Sequence, residues 1–240
     1  YADKGDYEKA MDYYERSLAI SEERGSKSWI GYNLNSIGIV YADKGDYEKA
    51  MDYYERSLTI DEELGYTYGM GSSLGNIGNV HYNKGDLDTA LDYYERSLAI
   101  REELGDKRGM GYSLNSIGLV HYYKGDYEKA EDYLEKSLDI QKEIGFKKIE
   151  LETTTYLYLT DKHLGKAYDV KEIHTLIKDA ENIEFELNYA FYQLLEDKSY
   201  LETAYNQIQD MADNLEPDVA KKFLSYPIPK AIVEEWEKVK

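Results

Sequence analysis

Cysteine is absent from the 240 residues, which rules out disulfides and thiolate metal sites while saying little about compartment. Proline is nearly absent too: three are present, none before Pro217, so most of the chain lacks the strongest helix breaker. No apolar run approaches the ~20 residues that a membrane-spanning helix requires. No signal peptide opens the chain, and the expectation is a soluble, cytoplasmic protein. Positive charge is also scarce. Lys and Arg total 29 against 48 Asp and Glu, a formal net charge of −19, and no basic cluster occurs. A phosphate backbone is held mainly by clustered Lys and Arg, so nucleic acid is a poor partner, and a neutral or basic one fits better. What is abundant is tyrosine, 27 residues against 4 Phe and 2 Trp. Tyrosine packs a ring while keeping its hydroxyl near water, which suits a thin structure with much surface. The 42% hydrophobic content is adequate for a core.

The block "YADKGDYEKAMDYYERSL" stands at Tyr1 and again at Tyr41, followed by "HYNKGDLDTALDYYERSL" at His81 and "HYYKGDYEKAEDYLEKSL" at His121, a period of 40 residues. Two glycine series keep this register, Gly5, Gly45, Gly85, Gly125 and Gly25, Gly65, Gly105, Gly145. Two markers per period imply two elements. Tyr47, Ala50, Met51, Tyr54 and Leu58 recur at three- and four-residue steps with acidic residues between them, which predicts an amphipathic helix over 46–64 capped by Asp46. A second helix, over 29–43, places Leu34, Ile37, Gly38 and Tyr41 on one face. The connection Lys44–Gly45–Asp46 is so short that the two must run antiparallel. The fold class is all-α. Gly38, Gly78 and Gly118 fall mid-helix at one phase, opposite Ala50, Ala90 and Ala130 of the next helix. A mid-helix glycine costs about 1 kcal/mol against alanine, so close packing is the expected compensation.

These residues resemble the tetratricopeptide repeat. The family pattern of large apolar residue, glycine, aromatic, glycine, alanine, aromatic and small residue maps onto Ile37, Gly38, Tyr41, Gly45, Ala50, Tyr54 and Ser57. The next two repeats supply Ile77, Gly78, His81, Gly85, Ala90, Tyr94, Ser97 and Ile117, Gly118, His121, Gly125, Ala130, Leu134, Ser137. Histidine replaces the first aromatic twice, leucine the second once, and the proline between repeats is missing. The 40-residue period is similar to the longer-helix subclass of kinesin light chains, Pins-type scaffolds and bacterial signalling regulators. The resemblance implies a right-handed α-solenoid of antiparallel hairpins over residues 1–145, with the first repeat truncated, because Tyr1 corresponds to Tyr41 near the end of a first helix. The chain then reads as an excised piece of a longer protein. The orphan helix from Asp6 to about Arg24 is expected to show an apolar flank through which copies can self-associate.

Residues 146–240 form the second region. "LETTTYLYLTDKHLG" reads as a degenerate first helix of a fifth repeat, with Gly165 in register. Two apolar stripes follow, Leu187, Ala190, Phe191, Leu194, Leu195 and Leu201, Ala204, Tyr205, Ile208, Met211. Pro217 is expected to open a short helix to about Tyr226, "YPIP" to break it, and 231–240 to form the last helix. A solenoid needs a terminal unit with a polar outer face, and this tail is read as that helical cap.

No nucleophile, base and orienting group stand together, so the expectation is no enzyme, no cofactor and no metal site. His81 and His121 occupy a packing position of the repeat; His163 and His174 have no ligand spacing. The glycines from Gly69 to Gly78 lack the preceding strand and following lysine of a phosphate loop.

Comparing the copies separates fixed from free positions. Leu34, Ile37, Gly38 and Val40 recur unchanged at 74, 77, 78, 80 and at 114, 117, 118, 120. The free positions step by three and four along the other side of the first helices. By position, the resemblance makes Tyr32, Asn35, Ile39, Asn76, Asn79, Tyr82, Asn83, Tyr112, Asn115, Leu119, Tyr122 and Tyr123 the lining of a concave, peptide-binding groove. Asparagine gives and accepts hydrogen bonds, as an extended backbone demands, and tyrosine offers contact area at low entropic cost. Neutral drift of solvent-facing residues is the bland alternative. The expected function is a non-catalytic interaction scaffold for a peptide or protein segment. The alternative is a regulatory or spacer segment of a larger signalling protein, linked to a cyclase or kinase, with no ligand of its own.

Overall fold

The computed structural model describes residues 7–147, 149–180 and 182–240. Among them are thirteen helices: α1 (Tyr7–Glu23), α2 (Lys27–Asp43), α3 (Tyr47–Leu64), α4 (Thr67–Lys84), α5 (Leu87–Leu104), α6 (Lys107–Lys124), α7 (Tyr127–Ile144), α8 (Glu150–Leu164), α9 (Val170–Lys178), α10 (Phe185–Leu195), α11 (Lys198–Asp213), α12 (Pro217–Phe223) and α13 (Pro227–Val239). No strand occurs among the described residues. The opening phrase through Asp6 lies outside them.

Helix ends follow local chemistry. The Asp46 carboxylate accepts the Lys49 N–H at 3.4 Å, and Asp106 accepts that of Gly109 at 3.0 Å, filling donors that the first turn leaves open. At the other end Gly65, at φ +63°, takes the left-handed conformation that stops α3.

By packing, the chain divides into two compact units. The first comprises residues up to Leu104 together with Asn214–Phe223, hence α1 to α5 and α12. Its hairpins are zipped antiparallel by a repeated pair of contacts. Ser57 Oγ donates to the Gly31 carbonyl at 2.9 Å, while a Cβ added at Gly38 would stand 2.6 Å from the Tyr54 ring. The next hairpin repeats this, with Ser97 to Gly71 at 2.7 Å and Gly78 at 2.7 Å from Tyr94. The nearest atoms to these glycines are therefore those of the aromatic position, and the alanine four residues before it is buried alongside. Leu34, Ile37, Val40, Ala50 and their counterparts 40 residues on are fully enclosed. α12 completes the unit. Phe223 is wholly buried with its ring 2.8 Å from where a Cβ on Gly45 would lie, and Lys222 pairs with Glu48 at 2.6 Å.

The second unit comprises Gly105–Asp213 and Leu224–Lys240. The α6–α7 hairpin keeps the zip, Ser137 to Gly111 at 2.7 Å and Gly118 at 2.7 Å from Leu134. α8 packs on α6, α7 and α10, while α11 packs on α10 and α13. Phe191, Leu201, Ile208 and Ile232 are fully enclosed where the two expected stripes and the last helix meet. One expectation fails: "YPIP" does not break a helix but opens α13, with Pro227 and Pro229 in its first turn. The N–H groups of a first turn have no intrahelical acceptor, so proline there costs no hydrogen bond.

Candidate interaction surface

In the first unit the residues that repeat unchanged on α2 and α4 face α3 and α5, which leaves the variable positions on the opposite side. Tyr32 is 57 % and Ile39 38 % exposed. Asn79 is exposed as well, and Asn35, Asn76, Tyr82 and Asn83 are half-buried. α2 and α4 lie against each other, and Asn76 Nδ2 donates to Asn35 Oδ1 at 2.9 Å across the seam. Asn79 Oδ1 accepts the Tyr94 hydroxyl at 2.7 Å. Each amide thus keeps a second polar group, the Asn35 and Asn79 nitrogens and the Asn76 oxygen, for a further partner.

The sequence reading missed three exposed aromatics at the amino-terminal edge of this face. Trp29 meets Tyr32 edge-on at 5.7 Å between ring centroids, Tyr66 lies 6.3 Å from Tyr68, and the Arg101 guanidinium sits 5.8 Å above the Tyr68 ring. The signal was available: the other copies carry Gly69 and Gly109 for Trp29, Ser26 and Asp106 for Tyr66, and Ser28 and Arg108 for Tyr68. It was obscured because these positions flank the helix start, where variation is common.

Asp61 lies beneath this surface, between α3 and the following helix, and is buried. Burial pushes its carboxyl up to about 6, against the lowering effect of a hydrogen bond from Ser73. Its equivalents are Ser21, Arg101 and Gln141. Each bonds a polar group nearby: Ser21 Oγ takes the Asn33 amide at 3.3 Å, Arg101 Nε donates to Ser97 at 3.4 Å, and Gln141 Nε2 donates to Thr153 at 2.8 Å.

In the second unit the equivalent face is covered. Asn115 is 3 % exposed, Leu119 is buried and Tyr122 is 8 % exposed. Asn115 Nδ2 donates to Glu152 at 2.8 Å and its Oδ1 accepts the Thr153 hydroxyl at 2.8 Å. Tyr122 is ringed by Tyr123, Tyr127, Tyr156 and His163 at 5.2, 5.8, 5.4 and 5.8 Å. The cause is α8, which sets Thr153, Tyr156 and His163 over positions that in the first unit stay open. Only Tyr112, edge-on to Phe146 at 5.3 Å, and Tyr123, whose hydroxyl is 2.9 Å from that of Tyr156, remain half-exposed.

Two carboxyls near this cover were not singled out by sequence. Burial first, and then the Glu184 charge, push Glu152 up to about 7. Burial, Glu184 and Glu152 together push Glu186 up to about 8. His81 and His121 stack on Tyr93 and Tyr133, each at 5.5 Å, with Asp86 and Asp126 at 3.2 and 3.4 Å from Nδ1. They act as packing rings. Among the described residues no three His, Asp or Glu side chains gather as metal ligands, and no helix is long and apolar enough to cross a membrane.

Comparison with known proteins bears on this arrangement. No curated protein matches the chain. Among solved structures it is similar to the apo form of RapI, at 15% identity and TM-score 0.69, covering 98% of this chain and 94% of that one. It is also similar to aspartyl phosphate phosphatase F from Bacillus subtilis, at 14% identity and TM-score 0.70, covering 99% and 68% respectively. BtubC from P. vanneervenii matches at 15% identity and TM-score 0.60, covering 98% and 94%. At such identities the likeness concerns the fold. The tetratricopeptide repeat model matches residues 1–63 and 69–143, more than half of the sequence and the same stretch that holds the serine-and-glycine zipped hairpins. The chain belongs to the tetratricopeptide repeat family.

Proposed function

We propose that the exposed side of α2 and α4 holds an extended peptide or protein segment, making the protein a non-catalytic interaction scaffold. The observation that carries this reading is the contrast between two faces of the same helices. Toward α3 and α5 the residues are unchanged from copy to copy; on the other side they vary, and there Tyr32, Ile39 and Asn79 stand exposed beside the Asn35–Asn76 bridge. Side-chain amides supply both donors and acceptors to a peptide backbone, and the flanking rings supply apolar area. A net charge of −19 favours a neutral or basic segment over an acidic one. In the second unit the reading is confined to Tyr112 and Tyr123, since α8 covers Asn115 and Tyr122 and Leu119 is buried.

A peptide-display library panned against the whole chain tests this. Enriched peptides are expected to be neutral or basic, and Tyr32→Ala with Asn79→Ala is expected to weaken them at least about tenfold, which corresponds to 1.4 kcal/mol. Both side chains are exposed, and the lost bond from the Tyr94 hydroxyl to Asn79 should cost only about 1 kcal/mol, so the double variant should remain folded with a modestly lowered melting temperature. Peptides that bind the double variant as tightly as the parent would remove α2 and α4 from the reading and favour the spacer alternative.

A further inference from the structure

Asp61 is the one member of its series that brings a carboxyl into the interior, since the equivalent positions hold Ser21, Arg101 and Gln141. It is 4 % exposed. A buried carboxylate is costly unless a cation or several donors face it, because no water remains to solvate the charge. Here the compensation is thin. The one hydrogen bond that acts on it comes from Ser73, whose single hydroxyl hydrogen is also within reach of Ser57 Oγ at 3.3 Å. No described cation pairs with it. Lys27 of α2 and Glu63 of α3 are exposed and paired with each other at 2.8 Å, Glu62 is exposed, and Arg101 of α5 donates instead to Ser72 and Ser97, at 3.3 and 3.4 Å.

The space beside the carboxyl is kept by two glycines. A Cβ added at Gly31 of α2 would stand 3.2 Å from Oδ1, and one added at Gly69 of α4 would stand 2.5 Å from Oδ2 and 2.6 Å from Cδ1 of the Tyr66 ring. Any side chain at 69 would therefore fall where carboxyl and ring converge, and the copy that carries a large one there, Trp29, has Ser21 in place of the acid. Gly69 is half-buried and Tyr66 is exposed, so the slot opens at the amino-terminal edge of the α2 and α4 face.

We propose, on the footing that α2 and α4 hold a peptide, that this slot seats a guanidinium: an arginine side chain of the bound segment, with the Asp61 carboxylate as counter-charge and the Tyr66 ring as wall. Guanidinium suits the geometry because it is planar, meets a carboxylate through paired N–H donors and lies flat on aromatic rings. The chain itself sets such groups over tyrosine, Arg56 over Tyr53 and Arg96 over Tyr93, each at 5.2 Å. An ammonium is more strongly hydrated and loses more on entering an enclosed place. The net charge of −19 draws a cationic side chain to the surface in the first instance.

The whole chain labelled with carbon-13 at its aspartate carboxyls reports on the slot, the Asp61 signal being assigned by its loss in Asp61→Asn. Its titration midpoint is followed alone, with n-butylguanidinium, and with n-butylurea as the uncharged counterpart. A cation beside a carboxyl favours the ionised form, so n-butylguanidinium is expected to lower the midpoint from about 6 by about one pH unit or more, which means at least about tenfold tighter binding to the ionised carboxyl than to the protonated one. n-Butylurea should leave it in place, and so should either compound at the exposed Asp52. Gly69→Leu fills the slot while keeping the carboxyl and is expected to abolish the response. A midpoint that ignores n-butylguanidinium, moves equally with n-butylurea, moves in step with that of Asp52, or still moves in Gly69→Leu would overturn the assignment. Peptides enriched on the parent chain are then compared with their citrulline forms. Exchange of arginine for citrulline should weaken binding to the parent about tenfold or more and change binding to Asp61→Asn little, whereas equal losses on both chains would place the arginine elsewhere. The n-butylguanidinium response is measured with no peptide present, so the slot and the peptide-binding face fail separately.

Discussion

Alanine placed at Gly78 and at Gly75, three residues apart on α4, should move stability in opposite directions. Replacing a mid-helix glycine by alanine gains about 1 kcal/mol from backbone entropy alone. At Gly75 a Cβ would meet only Ser97 Oγ, at 3.5 Å, an ordinary contact, so most of that gain should be realised. At Gly78 it would stand 2.7 Å from both Cδ1 and Cε1 of Tyr94. Carbon atoms pack at about 3.5–4.0 Å, so the ring or the helix must retreat by roughly 1 Å. Tyr94 has little freedom to do so: it is buried, and its hydroxyl is held by Asn79 at 2.7 Å. Overpacking of this kind costs about 1–3 kcal/mol, and loss of the hydroxyl hydrogen bond adds about 1 kcal/mol. Gly78→Ala should therefore come out about 1–3 kcal/mol less stable than the parent, and Gly75→Ala up to about 1 kcal/mol more stable. Repeat arrays unfold through neighbour-to-neighbour interfaces and depart from a single two-state transition. The assay is accordingly amide exchange across α4 and α5, alongside urea unfolding followed by helical circular dichroism. If Gly78→Ala proves as stabilising as Gly75→Ala, close approach of the aromatic is not what keeps glycine at that phase, and the packing argument fails at all three hairpins.

Three further outcomes are expected. Asp61 ionises at about 6 in the folded chain against about 4 when unfolded; between those values the folded state binds more protons, so stability falls as pH rises through the window and stays lower above it. Asp61→Asn should flatten that fall in thermal melts recorded from pH 4 to 8, and an unchanged profile would count against a buried carboxyl there. Glu186, pushed up to about 8, obeys the same sign, so Glu186→Gln should raise the melting temperature at pH 8 and change it far less at pH 4, where the folded state is protonated and the unfolded state mostly so. Phe223→Ala removes a fully buried ring from the α2–α3 turn and should cost about 3–5 kcal/mol, read as faster exchange at the amides of residues 44–50; no change there would mean that α12 does not hold that turn.

The hairpins were legible because their rules are local. Asp46 caps the helix that follows it, Gly65 ends the one before the next connection, and the three- and four-residue steps of Tyr47, Ala50 and Tyr54 choose the buried side without reference to anything distant. The variable face of α2 and α4 was legible for the same reason, since a repeated chain carries its own control: positions fixed by packing recur, and the rest are free. The equivalent face of α6 was not. Nothing within α6 signals that Asn115 and Tyr122 are covered; that depends on Thr153 and Tyr156 of α8, a helix that does not carry the repeated phrase. The prolines of α13 misled because proline ends a helix from within yet suits its first turn, and the choice rests on where the turn begins.

Period, the helix boundaries within the repeated stretch, antiparallel pairing and the division of its helices into a packed and a variable side were determined by the amino-acid sequence alone, because they depend on turn residues and on spacings within a few turns. The tertiary structure decided which free sides stay open, where Phe223 of the tail is seated, and which carboxyls burial pushes above their ordinary range. These depend on residues tens of positions away arriving at one place, and burial and charge proximity are properties of that meeting rather than of any segment taking part in it.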